Sequence, residues 1–590
     1  MNIVGISAFY HQSACCLLAD GELVAAAEEE RFSRVKHDPR LPVEAFRFCL
    51  RAADLSIADV DAVAYYELPR EKLARQLWAG APGGAGDDFP WLDPRQAERA
   101  LKERLGWEGP ILTFPHHLSH AASAFHFSPF PEAATLTVDG VGEWATTSYG
   151  YGHGRGRGLE LFEEVRFPHS LGLLYSTVTS YLGFGVNDGE YKVMGLAPYG
   201  EPRFVDQICQ LVGMGPDGQY LLNLRYFDFL RGRRMYSPAL CRLFGRPPRR
   251  RGEEITPFHR DVARSLQWVL EEILLEKVAY LHRRTGARDL CMAGGVALNC
   301  VANGRIRREG PFERLFVQPA AGDAGGALGA AALAQVELAG EPPRPLEHVF
   351  LGPRYEAGEV ASLLAAAGLE AVDFRGREAA LLAATVERLA TGRVVGWFHG
   401  RMEFGPRALG ARSLLANPLA AGMRQRLNES VKKREAFRPF APAVLASEAG
   451  AHFDLDRPSP FMLETCRVTS TLELPAVTHV DGSARPQTVD GRHSPRFAAL
   501  LAAFRDRTGC PVLVNTSFNL AGEPIVCSPA DALFCLGSSE IDCLVLEDFL
   551  IDREQLRASW PQLLPAWERR AGTAFGDRRS AIGDNLYTFV

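Results

Sequence analysis

Two imidazoles, His116 and His120, stand four residues apart in HHLSHAASAFHF, a run whose small and apolar residues predict a helix. That spacing puts both rings on one helical face. Downstream, the β-rich run ATLTV ends at Asp139, followed by glycine. A carboxylate at a strand end beside two imidazoles on a neighbouring helix is a donor set that suits iron, manganese or zinc. An H-x-x-x-H pair serves equally as two core or surface histidines, so the rest of the chain decides between the readings.

The elements that would position these groups follow a repeated pattern. The opening, NIVGISAFYHQSACCLLADGELVAAAEEERFS, predicts strand, tight turn, strand, a second turn at Asp20-Gly21 and a third strand. His11 falls in the first turn, free to face a ligand, and Lys36 and His37 fall in a polar loop. Residues 43–56 read as an amphipathic helix and DVDAVAYY as a buried strand. The Gly-, Pro- and Asp-rich segment 78–94 reads as a loop or lid. ATLTVDGVGEWATTSYGYG then repeats the opening logic: apolar strand, glycine-bearing turn with a reactive side chain, returning strand. Two such hairpins predict a duplicated α/β fold of the actin-like ATPase class.

Further along, Lys192 stands out in GEYKVMGLAPYG because the chain has only seven lysines. A helix is expected over 258–285. DLCMAGGVALNCVANGRI predicts a strand ending at Gly294-Gly295 and entering a helix through Asn299 and Asn303, an arrangement that lets backbone approach a nucleotide. Asp323 lies in a Gly-rich turn before an Ala-rich helix. The prolines of ELAGEPPRPLEH put a domain boundary near 340, giving units 1–345 and 346–590. In the second unit Arg407, Arg412, Lys432, Lys433, Arg438 and Arg485 recur in loops bordering strands, among Asn and Ser donors. Cations so placed in a chain of net charge −6 suit a phosphate-bearing ligand.

Composition narrows the classes. The acidic balance disfavours bulk-charge binding of nucleic acid, and the basic run RPPRRRGEE at 246–254 reads as a solvated loop. Twelve cysteines without C-x-x-C pairs, and an opening without a basic leader, argue against a disulfide framework, a thiolate zinc cluster and secretion. No apolar run is long enough to span a membrane, so a cytoplasmic location is expected.

HHLSHAASAFHFS, VDGVGEW, GEYKVMGLAPYG, GGVALN, GDAGGALGAA, FGPRALGARSLLANP, FRPFAP and LVNTSFN occur here in the order found in O-carbamoyltransferases of the NodU/CmcH/TobZ type. The chain resembles that family over nearly its whole length. The resemblance implies an N-terminal domain like the tRNA threonylcarbamoyl transferase subunit (TsaD-like, actin-like ATPase class) and a C-terminal YrdC-like domain. It implies Fe2+ on His116, His120, Asp139 and Asp323, with Mn2+ or Zn2+ sharing the same donor preference. His11 matches the acceptor-side histidine, and Gly294 and Gly295 the loop that holds an adenylate. Arg407, Lys432, Arg438, Arg485, Asn515 and Ser517 match positions holding carbamoyl phosphate and ATP, the latter with Mg2+; Asn519 is adjacent. Of the two neighbouring lysines, the six-residue spacing to Arg438 selects Lys432. The implied reaction makes carbamoyladenylate and passes its carbamoyl group to a small-molecule hydroxyl, with acceptor specificity in 78–94 and near 231–251. Competing readings are a tRNA (threonyl)carbamoyl-type enzyme and a non-catalytic nucleotide-binding scaffold. A homodimer is compatible with all of them.

Overall fold

The computed structural model describes residues 1–80, 93–154, 158–230 and 234–556. The fold is mixed α/β, and contacts divide these residues into two units. The first contains Met1–Glu29 and His37–Glu347; the second contains Glu30–Lys36 and residues 348–556.

The first unit is built on two five-stranded sheets. One contains β1 (Asn2–Ser7), β2 (Ala14–Ala19), β3 (Glu22–Glu28), β4 (Ala62–Tyr65) and β5 (Ile111–Thr113), in the order β3-β2-β1-β4-β5. The other contains β6 (Ala133–Val138), β7 (Ala145–His153), β8 (Gly158–Arg166), β11 (Asp289–Ala293) and β12 (Arg314–Val317), in the order β12-β11-β6-β7-β8. A separate ribbon pairs β9 (Val212–Met214) with β10 (Tyr220–Leu222). In each large sheet the first three strands form an antiparallel meander and the last two join parallel to the first. One topology is therefore used twice, as the repeated hairpin pattern predicts. The central strands are buried along almost their whole length, as parallel strands covered on both faces should be.

Two helices lie where the halves meet. The histidine helix, His116–Phe125, packs on β6 and β11 of the second sheet. The alanine-rich helix, Asp323–Ala339, packs on β1, β2 and β4 of the first sheet and against the histidine helix. Their close approach depends on Gly329, where a Cβ would fall 1.7 Å from the Ser119 carbonyl oxygen.

The second unit carries an eight-stranded sheet in the order β13-β22-β21-β14-β15-β20-β16-β19. Its strands are β13 (Val372–Asp373), β14 (Val395–Phe398), β15 (Arg412–Ala416), β16 (Ala441–Leu445), β19 (Gln487–Val489), β20 (Val512–Ser517), β21 (Cys543–Leu546) and β22 (Phe549–Asp552). β17 (Cys466–Arg467) and β18 (Ser483–Ala484) form a small separate pair. The segment Glu30–Lys36 is stitched into this unit by its arginines. Arg31 donates to the Gly405 carbonyl at 2.9 Å, and Arg34 to the Pro524 and Ile525 carbonyls at 2.9 and 2.6 Å. Phe32 packs on Met402, Ile525 and Cys527.

Several expectations are revised. The amphipathic helix spans Val43–Ala52, shorter than expected because the chain turns at Asp54 with φ 55°. Lys192 lies in a short helix, Glu190–Leu196. In the run at 246–254, Arg249 is buried and donates to the Leu182, Gly183 and Glu253 carbonyls, so only its neighbours are solvated. Residues 81–92 of the expected lid and 231–233 of the basic loop lie outside the described residues. Among the described residues, no helix is long and apolar enough to cross a membrane.

Candidate metal centre and anion site

His116 and His120 open the histidine helix, Asp139 follows the C-terminal end of β6, and Asp323 is the first residue of the alanine-rich helix. One ligand atom from each lies within 4.8 Å of all the others, and all four residues are buried. His116 Nε2 is 3.3 Å from Asp139 Oδ2 and 3.7 Å from Asp323 Oδ1; His120 Nε2 is 3.8 and 3.6 Å from the same oxygens. Both carboxylate oxygens of Asp323 are buried without a hydrogen-bond partner, and so is His120 Nε2. A buried carboxylate lacking donors is strongly disfavoured unless a cation compensates it. Two imidazole nitrogens and two carboxylates converging in this way fit a divalent metal of the first transition row or zinc.

The charges respond accordingly. Burial lowers the His120 pKa, but Asp139 and Asp323 outweigh it and hold the value up to about 9. Burial would raise the Asp139 carboxyl, yet His116 and His120 keep it well below the usual carboxylate range. The surrounding shell fixes these groups. Gly295 N–H donates to Asp139 Oδ1 at 2.7 Å, so the loop after β11 and the Asp139 turn are held together. Gly294 has φ 91°, and a Cβ there would meet the Val138 carbonyl oxygen at 2.3 Å, so only glycine fits.

Glu143, absent from the sequence-based candidates, is part of this shell. Its Oε1 accepts from the His116 N–H at 3.0 Å and the Leu68 N–H at 2.7 Å, anchoring the start of the histidine helix. It lies within VDGVGEW, so its motif was visible although its capping role was not.

His11 sits in the β1–β2 turn, the counterpart of the Asp139 turn between β6 and β7. Burial pushes its pKa down, with Asp323 pulling the other way. Its Nδ1 is buried without a partner, and its ring packs at 4.2 Å on that of Tyr10.

The second unit holds a site of opposite character. Lys432 is buried, and its Nζ donates to the Ser517 carbonyl, to Asn519 O at 3.1 Å and to Asn519 Oδ1 at 2.7 Å. Burial drives its pKa well below the ordinary lysine value, and Arg434, Arg438 and Lys36 push in the same direction. Lys433, by contrast, is exposed with φ 47°. Ser517 donates to Asn519 Oδ1 at 2.7 Å, while Asn515 lies two residues earlier on β20. Arg407 is half-buried in the turn between Glu403 and β15, and Arg485 is half-buried between β18 and β19.

Arg412, one of the cations expected at strand borders, is tied largely to backbone. It is fully buried, sits 3.5 Å above the Phe398 ring, and donates to the Gly400, Ala411 and Pro353 carbonyls at 3.0 Å. Its two terminal nitrogens are held by backbone carbonyls, while its Nε is buried without a partner. The carboxylate that organises the neighbouring turn is Glu403, whose Oε1 accepts from Leu409 N–H at 2.6 Å and Ala411 N–H at 2.8 Å.

Comparison with known proteins finds matches for both halves of the chain. Residues 2–81 and 95–332 match the family described as "Carbamoyltransferase N-terminus", and residues 386–553 match "Carbamoyltransferase C-terminus". The uncharacterized protein sll1178 of Synechocystis is 45% identical, over 93% of this chain and 96% of that protein. Nodulation protein NolNO of Sinorhizobium fredii is 39% identical, over 97% of this chain and 85% of its own length. The 3'-hydroxymethylcephem-O-carbamoyltransferase of Amycolatopsis lactamdurans is 30% identical, over 92% of this chain and 98% of that enzyme. With both halves matched, the chain belongs to the carbamoyltransferase family, in the NodU/CmcH group that its motifs resemble, and is a transferase.

Proposed function

We propose that this enzyme is an ATP-dependent O-carbamoyltransferase acting on a hydroxyl of a small molecule. The observation that carries the reading is a pair of buried clusters of opposite character, one in each unit. The first unit gathers the buried Asp139 and Asp323, the latter with neither oxygen hydrogen-bonded; the second gathers Arg434, Arg438 and Lys36 around a buried Lys432. A metal would balance the former and a phosphate-bearing substrate the latter.

In the second unit, Lys432, Arg438, Arg407 and Arg485 would neutralise carbamoyl phosphate and ATP, with Mg2+ accompanying the nucleotide. The balance is simple. Water releases inorganic phosphate from carbamoyl phosphate, and the resulting carbamate oxygen attacks the α-phosphorus of ATP, expelling pyrophosphate and leaving carbamoyladenylate. This assigns a YrdC-like role to residues 346–590 and an actin-like, TsaD-like transfer role to 1–345.

In the first unit, the amides after β11 at Gly294 and Gly295 would hold the adenylate. His116, His120, Asp139 and Asp323 would hold the metal, Fe2+ by resemblance, which supplies Lewis-acid polarisation of an oxygen when bound. His11, kept neutral by burial, takes the acceptor hydroxyl proton as that oxygen attacks the carbamoyl carbon and AMP departs. The cephem relative's name specifies a hydroxymethyl acceptor, in keeping with a small alcohol here.

The test is incubation with ATP, carbamoyl phosphate and ferrous iron across a panel of candidate alcohols, read by mass spectrometry for a gain of one carbamoyl unit. Pyrophosphate should appear without any acceptor present. If ATP stays intact with carbamoyl phosphate, the proposal is wrong.

A further inference from the structure

His399 and Glu547 each follow the last residue of a strand, β14 and β21, and those strands are parallel neighbours. Ligands of α/β sheets sit outside such carboxyl ends. His399 Nδ1 is 2.6 Å from Glu547 Oε2, a distance at which a carboxylate oxygen requires a proton on the nitrogen. Nδ1–H therefore donates to Glu547. Arg496, whose Nη1 lies 3.1 Å from Nδ1, donates instead to the Glu547 backbone carbonyl at 3.3 Å and pairs with Asp548 at 2.9 Å. Glu547 is itself buried and clamped, its Oε1 accepting from the Gly400 N–H at 2.9 Å. In the neutral ring the acceptor is then Nε2. Among the described residues Nε2 has no hydrogen-bond partner, and the side chain is 30% exposed. An imidazole held by a fixed carboxylate, with its other nitrogen open, is the arrangement of a general base.

Register relates this pair to the cations of the second unit. Trp397 is opposite Ser413 of β15, and Ser413 is opposite Ser517 of β20, so these three side chains leave one face of the sheet. His399, two residues past Trp397, continues that face, and its N–H still donates to the Ala411 carbonyl at 3.0 Å. Two strand spacings, about 10 Å, separate β14 from the strand whose Ser517 meets the Lys432 ammonium. That span has room for an acyl phosphate and a water.

We propose that His399 is the base that takes a proton from the water attacking carbamoyl phosphate, and that Glu547 is its positioning residue. This deepens the proposed function and rests on carbamoyl phosphate being the substrate of the second unit. The water step needs a proton acceptor that the cations cannot supply. Arginines stay charged, and the Lys432 ammonium is spent on oxygens of Ser517 and Asn519. The water oxygen bonds to the carbonyl carbon, and one water proton passes to His399 Nε2. The bond from that carbon to the phosphate oxygen breaks, its electron pair leaving on inorganic phosphate. Carbamate remains, ready to attack ATP. The imidazolium so formed is stabilised by Glu547 and returns its proton to solvent.

The experiment uses the full-length enzyme and compares ATP-dependent pyrophosphate release fed by carbamoyl phosphate with release fed by ammonium carbamate, which enters after the water step. In His399→Asn the side-chain N–H can keep the bond to Glu547 while the base is gone. Its kcat with carbamoyl phosphate should fall about 100-fold or more, with KM changed by less than about threefold, and the loss should be confined to that substrate. Glu547→Gln tests the positioning residue and carries the test if the Asn variant does not fold. The Gly400 N–H claims the new amide oxygen, so the amide NH2 faces Nδ1 and forces the ring's own proton onto Nε2. Its kcat should fall in the same selective way. A change in KM alone, an equal loss with both substrates, or no loss would overturn the proposal. So would an unaltered enzyme that uses carbamoyl phosphate but not carbamate. Absence of pyrophosphate release from carbamoyl phosphate by the unaltered enzyme is a different failure. It removes the proposed function, and this inference with it.

Discussion

The Gly295 N–H donates to Asp139 Oδ1 at 2.7 Å while the other oxygen of that carboxylate faces His116 Nε2 at 3.3 Å. One side chain therefore joins the glycine loop proposed to hold the adenylate to the cluster proposed to hold the metal. The glycine loop follows β11 and the carboxylate follows β6, adjacent parallel strands of the same sheet.

Asp139→Asn tests that joint. The amide keeps one acceptor but loses the charge, and its NH2 cannot ligate. Metal affinity should fall by about 10- to 100-fold, the usual scale for damage to a metal shell. Carbamoyl transfer should fall with it, while pyrophosphate release in the second unit continues. Metal content by elemental analysis, alongside the two half-reactions, checks the outcome; full metal content with full transfer would contradict it.

The adjacent lysines offer a sharper contrast. Lys432 is buried among Ser517, Asn519 and neighbouring cations, whereas Lys433 is exposed. Lys432→Ala removes a desolvated cation from the proposed phosphate site and should lower kcat/KM for pyrophosphate release by about two orders of magnitude or more, the scale of a lost charged transition-state contact. Lys433→Ala should change it by less than about threefold, as expected of a screened surface charge. Equal effects in the two variants would relocate the site.

Helix spacing governs the candidate metal centre as much as ligand identity does. Gly329 lets the helix that begins at Asp323 approach Ser119, the residue beside His120, and an added methyl would overlap the Ser119 carbonyl. Gly329→Ala should cost roughly 1–3 kcal/mol of stability, as overpacking does. It should also release metal more readily, because Asp323 is carried away from the imidazoles. Urea unfolding and metal retention on dialysis measure both effects.

Much of this centre was legible in the sequence because its grammar is local. Paired histidines at helical spacing, an aspartate closing a β-rich run and glycines after a strand each announce themselves within a few residues, and the repeated hairpin announced the repeated sheet. The carbonyl contacts of Arg412 were not legible for a physical reason: an arginine in a Gly-punctuated stretch can grip phosphate or staple carbonyls, and the bonds to Gly400, Ala411 and Pro353 depend on their three-dimensional positions. The Glu30–Lys36 segment was illegible because its partners, Gly405, Pro524 and Ile525, are hundreds of residues away. Asn515 was legible as a polar residue in LVNTSFN, but which of its atoms remains free depends on Gln487 in another strand.

Lys277 provides a pH test independent of both sites. It is fully buried in the helix Pro257–Thr285, donating to Tyr149 Oη at 2.9 Å and the Gly218 carbonyl at 2.6 Å and lying 4.3 Å from the Tyr220 ring centre. Burial pushes its pKa down from 10.5 to about 7, with Glu276 and Glu163 opposing. Between those two values the unfolded chain binds a proton that the native state does not. Stability contributed by this group therefore rises with pH across that window, and below about pH 7 the native state carries the full penalty of a buried ammonium. Lys277→Met removes the penalty and keeps the stem's packing. Its unfolding free energy relative to the natural chain should be most favourable near pH 6.5 and should decline by roughly 4 kcal/mol toward pH 10. Urea denaturation of the two proteins at matched pH isolates the lysine from every other titrating group. A difference independent of pH would show that Lys277 keeps the same charge in the folded and unfolded states.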